Sequence, residues 1–264
     1  MITDLQELGW VAGLLEGEGW FSKTDKRIQV SSTDEDVIEK LASTTQIGRI
    51  TGPYQSYQLP HYKDHWRWIV HRKPDGDMLT AQIFPFMSPR RKNAMRYSRP
   101  WLREQDAFKF LPESQMGWTV GYLEGEGSFF PSMKMWNNKP YASAVIAVKS
   151  TDIEPLELLA SFHNGTVVRG ERPKRDNHRQ TFVWRLHKRS GVQQLIETLI
   201  PEMSARRQQQ MQRVLDAYQA SPPKPSRRHG TRWCYEKGCR EPECRAAHAK
   251  HHRERRDRKA QREG

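Results

Sequence analysis

The residues best suited to chemistry are two acidic pairs, Glu16 with Glu18 and Glu124 with Glu126. Each pair lies in a Glu-Gly-Glu-Gly segment, and the segment occurs twice in the 264-residue chain. Each segment closes a longer stretch, Leu8 to Gly19 and Met116 to Gly127, with glycines at 9, 13 and 17 and again at 117, 121 and 125. Four-residue spacing lines these glycines along one face of a helix, a bare groove into which a second backbone fits. Glycine inside a helix costs about 1 kcal/mol relative to alanine, so three on one face require a packing reason. The last glycines are expected to close each helix in the left-handed conformation. If the grooved faces pack together, Glu18 and Glu126 meet at their ends. Two carboxylates held close repel, and a divalent cation between them is the usual remedy, because hard cations such as Mg²⁺ take carboxylate oxygens. One such segment alone is ordinarily a solvated turn; two at matching spacing argue for a site.

The stretches Val11-Ala12-Gly13-Leu14-Leu15-Glu16-Gly17-Glu18-Gly19 and Thr119-Val120-Gly121-Tyr122-Leu123-Glu124-Gly125-Glu126-Gly127 resemble two copies of the LAGLIDADG motif. The chain therefore resembles a single-chain, two-motif LAGLIDADG homing endonuclease. The resemblance implies an α+β fold of two pseudo-symmetric αββαββα repeats with saddle-shaped antiparallel sheets, the motif helices forming the interface. It also implies that Glu18 and Glu126 bind the catalytic metals, Mg²⁺ or Mn²⁺. Both positions hold Glu where the consensus has Asp.

Composition narrows the partners. A formal net charge of +13 and a pI near 9.8 point to a polyanion, nucleic acid first and an anionic membrane surface second. Nine Trp and eight Tyr argue against a disordered basic chain. No apolar run reaches the length of a membrane span, and the N-terminus lacks the pattern of a signal peptide, so an intracellular protein is expected. The only cysteines are Cys234, Cys239 and Cys244, which leaves the main body without a disulfide.

The elements that must position the glutamates read in the same order twice. Thr3 and Gln6 suggest a capping box for the first motif helix. A hairpin follows over Trp20 to Ser32, then a helix from Asp34 to Thr44 with Val37, Ile38 and Leu41 on one face. Strands are expected around Arg49 to Thr51 and His65 to Val70. A helical stretch over Asp77 to Phe86 is interrupted by Pro85, and Pro89 can open another helix. The second half repeats this pattern: a longer hairpin over Ser128 to Ser150 turning at Asn137-Asn138-Lys139-Pro140, a helix from Asp152 to Phe162, strands at Val167-Val168 and Thr181 to Leu186, then helices at Val192 to Leu199 and Ser204 to Gln219. Trp68, His71 and Arg90 align without a gap onto Trp184, His187 and Arg206. Residues 1–105 and 106–219 are thus expected as the two repeats, joined near Pro100 to Ser114, with 220–264 as a Pro-rich linker and tail.

Phosphodiester hydrolysis needs an in-line nucleophile, charge stabilisation and help for the leaving oxygen, all of which two-metal sites supply. Besides Glu18 and Glu126, the carbonyls of Gly17 and Gly125 are candidate metal ligands, and helix C-terminal dipoles favour cations there. Glu16 and Glu124 are expected to be structural, capping the partner motif helix. The resemblance implies a basic residue late in each repeat. The alignment favours Arg90 and Arg206 over Arg91, Lys92 and Arg207, and a guanidinium would stabilise charge rather than shuttle a proton. A phosphate-contacting helix start reads equally well at each. Ser32 and Ser150 fall where family members place a water-positioning polar group, although Ser-Thr-Asp is also an ordinary helix cap.

DNA would be read from the hairpin faces, since a two-stranded ribbon fits the major groove. The candidates are Arg27, Gln29, Ser31 and Arg67 in the first half, and Ser143, Lys149, Arg169, Arg172, Lys174 and Arg185 in the second. His71 and His187 read either as part of that surface or as packing histidines, while Trp68 and Trp184 read as core. In the tail, Cys234, Cys239, Cys244 and His248 could form a Cys₃His zinc set, although the five-residue spacing departs from the C-x₂-C knuckle. The alternative is a basic arm with reduced thiols. From His248 to Arg262 the chain is heavily basic and would add salt-sensitive affinity for DNA.

The function this implies is site-specific, metal-dependent hydrolysis of both strands of a long, pseudo-palindromic double-stranded DNA site by a monomer, with mobility of an intron or free-standing gene as its consequence. The rivals are an RNA-splicing maturase, with intron RNA as partner, and a DNA-binding regulator that does not cut.

Overall fold

The computed structural model describes residues 1–55, 63–104, 109–136, 139–171, 179–221 and 230–263. By contact, the chain divides into a main unit of Met1–Met133 with Ser143–Gln219, and a small unit of Lys134–Ala142 with Ala220–Gly264.

Two motif helices form the axis of the main unit, α1 (Leu5–Glu18) and α5 (Pro112–Glu126). Asp4, not Thr3, caps α1, its carboxylate accepting from the Glu7 N–H at 2.8 Å. Every residue from Gly9 to Glu16 is buried, as is every residue from Gly117 to Glu124. Helices buried on all sides must be small or apolar all round, and the glycine stripe follows from that. A Cβ on Gly13 would lie 2.1 Å from the Trp118 carbonyl oxygen, and one on Gly121 would lie 2.0 Å from that of Trp10. Gly9 and Gly117 are as tight against the Ser114 and Gln6 carbonyls. The bare groove holds the partner backbone, as its spacing predicts.

The helix ends differ from expectation. Gly19 and Gly127 have φ of −68° and −70°, ordinary extended backbone rather than left-handed. Glycine is needed there because a Cβ would meet the Leu15 or Leu123 carbonyl oxygen at 2.3 Å.

After α1 come β1 (Trp20–Phe21), β2 (Ile28–Ser32), α2 (Glu35–Thr45), β3 (Arg49–Tyr54), β4 (His65–Val70), α3 (Lys73–Ile83) and α4 (Pro89–Ser98). After α5 come β5 (Gly127–Trp136), β6 (Lys139–Ser150), α6 (Glu154–His163), β7 (Thr166–Arg169), β8 (Phe182–Leu186), α7 (Arg189–Leu199) and α8 (Ala205–Ala220). Each half builds a four-stranded antiparallel sheet, ordered β1-β2-β4-β3 and β5-β6-β8-β7. The last helical stretch of each half is two helices joined by a short 3₁₀ turn, Phe84–Phe86 and Ile200–Glu202, with Pro85 and Pro201 inside the turns. Proline removes a ladder donor and clashes with the preceding turn.

Strand alternation separates two faces. Ile28, Val30, Trp68 and Val70 are buried on one side of the first sheet; Ile146, Val148, Trp184 and Leu186 are buried on one side of the second. Val37, Ile38, Leu41 and Leu79 complete the first core, and Leu156, Leu159, Val192 and Ile196 the second. Trp68 and Trp184 are fully buried, as expected. The opposite faces carry the polar and basic strand residues, mixed in the second sheet with apolar ones such as Val168 and Val183. In the small unit, α9 (Arg232–Glu236) and α10 (Pro242–Glu263) pack on each other.

Candidate active site at the ends of the paired motif helices

Because α1 and α5 are held by glycine on backbone, their C-terminal acids have little freedom to separate. The Glu126 side chain lies over Gly17, its Cγ 3.0 Å from where a Cβ would be, and the Glu18 side chain lies over Gly125 at 2.8 Å. Each glutamate thus reaches across to the glycine that precedes its counterpart. Glu18 keeps water on one side, yet the surrounding protein removes enough solvent to raise its pKa, and Glu126 raises it further by repulsion. Burial also raises Glu126, with Arg91, Arg90 and Arg207 opposing. Two carboxylates that resist ionisation side by side have the oxygen chemistry that suits a divalent cation.

Two arginines close the ends of these helices. Arg91 donates through Nε to the Glu16 carbonyl at 2.7 Å, through Nη2 to that of Gly17 at 2.6 Å, and through Nη1 to that of Gly19. Arg207 donates to the carbonyls of Glu124, Gly125 and Gly127. A guanidinium's planar fork suits three carbonyls at a helix terminus, and both arginines are pushed down from their ordinary pKa by burial. The Gly17 and Gly125 carbonyls already accept these bonds, so the carboxylates are the freer oxygen donors.

Glu16 and Glu124 are structural, but not as caps of the partner motif helix. Glu16 accepts from the Ser88 N–H at 2.8 Å and its hydroxyl at 2.7 Å; Glu124 accepts from Ser204 at 2.9 and 2.6 Å. Each therefore anchors the start of the last helix of its own half, α4 or α8, where the positive end of the helix dipole favours an acid. Burial outweighs these bonds at Glu16 and raises it from 4.5 to about 7; Glu124 is raised for the same reason.

Arg90 and Arg206 stand beside the site and are held by acids of the opposite half. Arg90 pairs with Asp152, and the Arg206 Nε donates to both carboxylate oxygens of Asp34 at 2.8 and 2.7 Å. Ser32 and Ser150 occupy the same turns, each hydroxyl oxygen accepting from the N–H two residues on, at Asp34 or Asp152, at 3.0 Å. Ser31, Ser32 and Arg206 line a cleft with Glu18 and Gly125. Sequence reasoning assigned nothing to Asp34 and Asp152 beyond a cap and placed Arg91 and Arg207 second. The repeated Ser-x-Arg-Arg at residues 88–91 and 204–207 was the signal available for the latter.

Gln29 and Ser31 share the polar face of β2, opposite Ile69 and Arg67 of β4. Arg67 lies over the Tyr54 ring, 4.5 Å from its centroid. Arg27 precedes β2 with the same parity and pairs with Asp25 at 2.6 Å. In the second sheet Ser143 and Lys149 alternate with buried Ala144, Ile146 and Val148, and exposed Arg185 pairs with Ala147 on that same face. Arg169 differs: it pairs with Phe182 and alternates with Val168, so it has the parity of the helix-packed face, exposed at the strand end. Arg172 and Lys174 lie outside the described residues. His71 and His187 are both exposed, which removes a packing role.

In the tail, the Sγ atoms of Cys234, Cys239 and Cys244 lie within 4.8 Å of one another. His248 is not part of this cluster; its ring stacks on Tyr235 with centroids 4.1 Å apart.

No protein-family model matches the sequence, and no curated protein matches it. Solved structures match at the level of fold. The meganuclease I-AabMI bound to uncleaved DNA superposes with a TM-score of 0.55 at 11% identity, over 81% of this chain and 90% of that one. The I-LtrWI LAGLIDADG homing endonuclease bound to target DNA gives 0.51 at 14% identity, over 82% and 92%. I-SmaMI bound to cleaved DNA gives 0.51 at 14% identity, over 79% and 87%. The chain has the LAGLIDADG homing endonuclease fold, two halves in one polypeptide.

Proposed function

We propose that this chain is a site-specific endonuclease that hydrolyses both strands of double-stranded DNA with divalent metal ions held at Glu18 and Glu126. The observation that carries the reading is the crossing of these two side chains, each lying over the other's glycine at the end of a buried helix pair. The DNA-bound neighbours of the same fold support it.

The donor set fits Mg²⁺ or Mn²⁺: two adjacent carboxylates, hard oxygens, one of them raised by the other's charge. When bound, such an ion polarises a phosphoryl oxygen and acidifies a coordinated water. The chain's own groups do the rest. Arg91 and Arg207 each fasten the end of their own half's motif helix, and with it the acid that helix carries. Arg90 and Arg206, kept in place by Asp152 and Asp34, offer permanent positive charge to a strained phosphate. The Ser32 hydroxyl, in the cleft beside Glu18, is placed to orient water, and Ser150, which also meets Tyr122, is its counterpart. The polar sheet faces carry Gln29, Ser31, Arg67, Ser143, Lys149 and Arg185 toward base edges or phosphates. The two-fold repeat suits a pseudo-palindromic site read by a monomer, and such cutting would move the intron or gene that encodes the enzyme.

The test is cleavage of a plasmid carrying the unoccupied insertion site, with Mg²⁺, Ca²⁺ or EDTA. Glu18→Gln and Glu126→Gln should each lower the cleavage rate by at least about a thousandfold, several kcal/mol of transition-state stabilisation, while leaving DNA binding in Ca²⁺ intact. Tight DNA binding by wild type without cutting in Mg²⁺ would favour a regulator. Salt-sensitive binding to a folded intron RNA, with no nicking of DNA, would favour a maturase.

A further inference from the structure

The small unit poses a stability problem that its composition does not solve. From Thr231 onward, the only buried apolar or sulfur side chains among the described residues are Cys234 and Cys244. Trp233 is exposed. Helix α10 spans 22 residues but has no apolar stripe, and a helix polar all round is marginal in water without other support. After Gln219 the chain carries 14 Lys and Arg against 6 Asp and Glu, so self-repulsion works against compaction. A unit this small and this poor in core normally needs a covalent or metal staple.

The sulfurs are where such a staple would go. Cys234 lies in the middle of the short helix α9, whose N-cap Thr231 accepts from the Cys234 N–H. Cys239 follows in the turn, its N–H donating to the Cys234 carbonyl at 3.1 Å. Cys244 lies in the first turn of α10 and accepts from the Gly230 N–H through Sγ at 3.2 Å. Three separate positions therefore converge on one point, each tied by a bond from a backbone N–H. None of the three cysteines is in a disulfide, and a single disulfide would join two of the sulfurs and leave out the third. Tetrahedral zinc with Zn–S bonds of about 2.3 Å places its sulfurs about 3.8 Å apart, close to the observed cluster limit of 4.8 Å.

We infer that Cys234, Cys239 and Cys244 bind one Zn²⁺ as three thiolates, and that this ion fixes α9 on α10 and so orders the basic tail. The fourth donor is not His248, which is engaged with Tyr235 and His252. The ion is structural and separate from the carboxylate site.

The experiment reads metal, not cleavage, so it stands or falls apart from the nuclease reading. The full chain, stripped and then titrated with Zn²⁺ or with Co²⁺ alone, should take up one ion per chain at this site. X-ray absorption at the zinc edge should fit three sulfurs and one nitrogen or oxygen. The Co²⁺ form should show tetrahedral bands with thiolate charge transfer. Cys239→Ser, whose side chain is only half-buried, should lose most of the charge-transfer intensity, and the triple Cys→Ser variant all of it. His248→Ala should keep wild-type stoichiometry and spectrum. A full chain whose three thiols all react with a thiol reagent equally fast with and without stoichiometric Zn²⁺ would overturn the proposal. So would a sulfur-free first coordination shell, or loss of the ion in His248→Ala.

Discussion

Glu16 and Glu18 are two residues apart, yet burial assigns them opposite work. Glu18 ends its helix at the surface beside Glu126, while Glu16 faces inward onto Ser88. The buried acid has a stability signature with a definite sign. Its pKa is about 7 when folded against an ordinary 4.5, so the folded protein holds that proton more tightly than the unfolded chain does. Its contribution is complete below about pH 4.5 and is lost as pH rises through 7. Thermal melts from pH 5 to 8 should show wild type losing stability relative to Glu16→Gln, whose amide does not titrate. A pH-independent difference between the two would rule this out. The same logic applies in direction to the proposed metal site: protons would compete with cations for Glu18 and Glu126, and half-saturating Mg²⁺ for cleavage should rise as pH falls.

Packing of α1 on α5 is backbone on backbone, which leaves no room for adjustment. Gly13→Ala or Gly121→Ala places a methyl about 2 Å from a carbonyl oxygen of the partner helix. Overpacking of rigid backbone should cost about 3 kcal/mol or more, a melting-point fall of at least about 6 °C for a chain of this size. Cleavage should drop with it, because separating the helices separates the glutamates. Ala substitution at half-buried Gly191, whose added Cβ has Leu186 side-chain atoms as its nearest neighbours, at 3.4 Å and beyond, should be near neutral and serves as the control. A second inter-half device is the reciprocal pairing of Arg90 with Asp152 and Arg206 with Asp34. A double-mutant cycle on Arg206→Met and Asp34→Asn should give a coupling of about 1 kcal/mol; a value near zero would demote the pair to a surface contact.

For the molecule as a whole, charge and sheet faces would set how DNA is held under the proposed function. With net charge +13 and basic residues on both polar sheet faces, about six to ten phosphate contacts are expected. That number of contacts predicts a loss of about 10³ to 10⁵ in affinity between 50 and 200 mM salt. Fluorescence anisotropy at several salt concentrations measures it. A slope no steeper than that of one or two contacts would argue against a long footprint. Arg67→Ala and Arg185→Ala discriminate their roles: a base contact relaxes preference at one position, and a phosphate contact weakens all sequences alike.

The sequence by itself determined most of the architecture. Two glycine stripes ending in acids, together with Trp68, His71 and Arg90 matching Trp184, His187 and Arg206 without a gap, specified the duplicated plan, the helix pairing and the meeting of Glu18 with Glu126. Those features are periodic, and periodicity survives without coordinates. The polar strand faces were legible for the same reason, apart from Arg169, whose face depends on register with Phe182. What only the tertiary structure decided concerns groups whose partners lie far along the chain. Arg91 and Arg207 proved to be clasps on the helix ends, 72 to 83 residues from their acceptors. Asp34 and Asp152 proved to be anchors for arginines of the opposite half. Glu16 and Glu124 proved to cap α4 and α8, and His248 stood apart from the three sulfurs. A long, multi-donor side chain has several local choices of equal merit, and only packing selects among them.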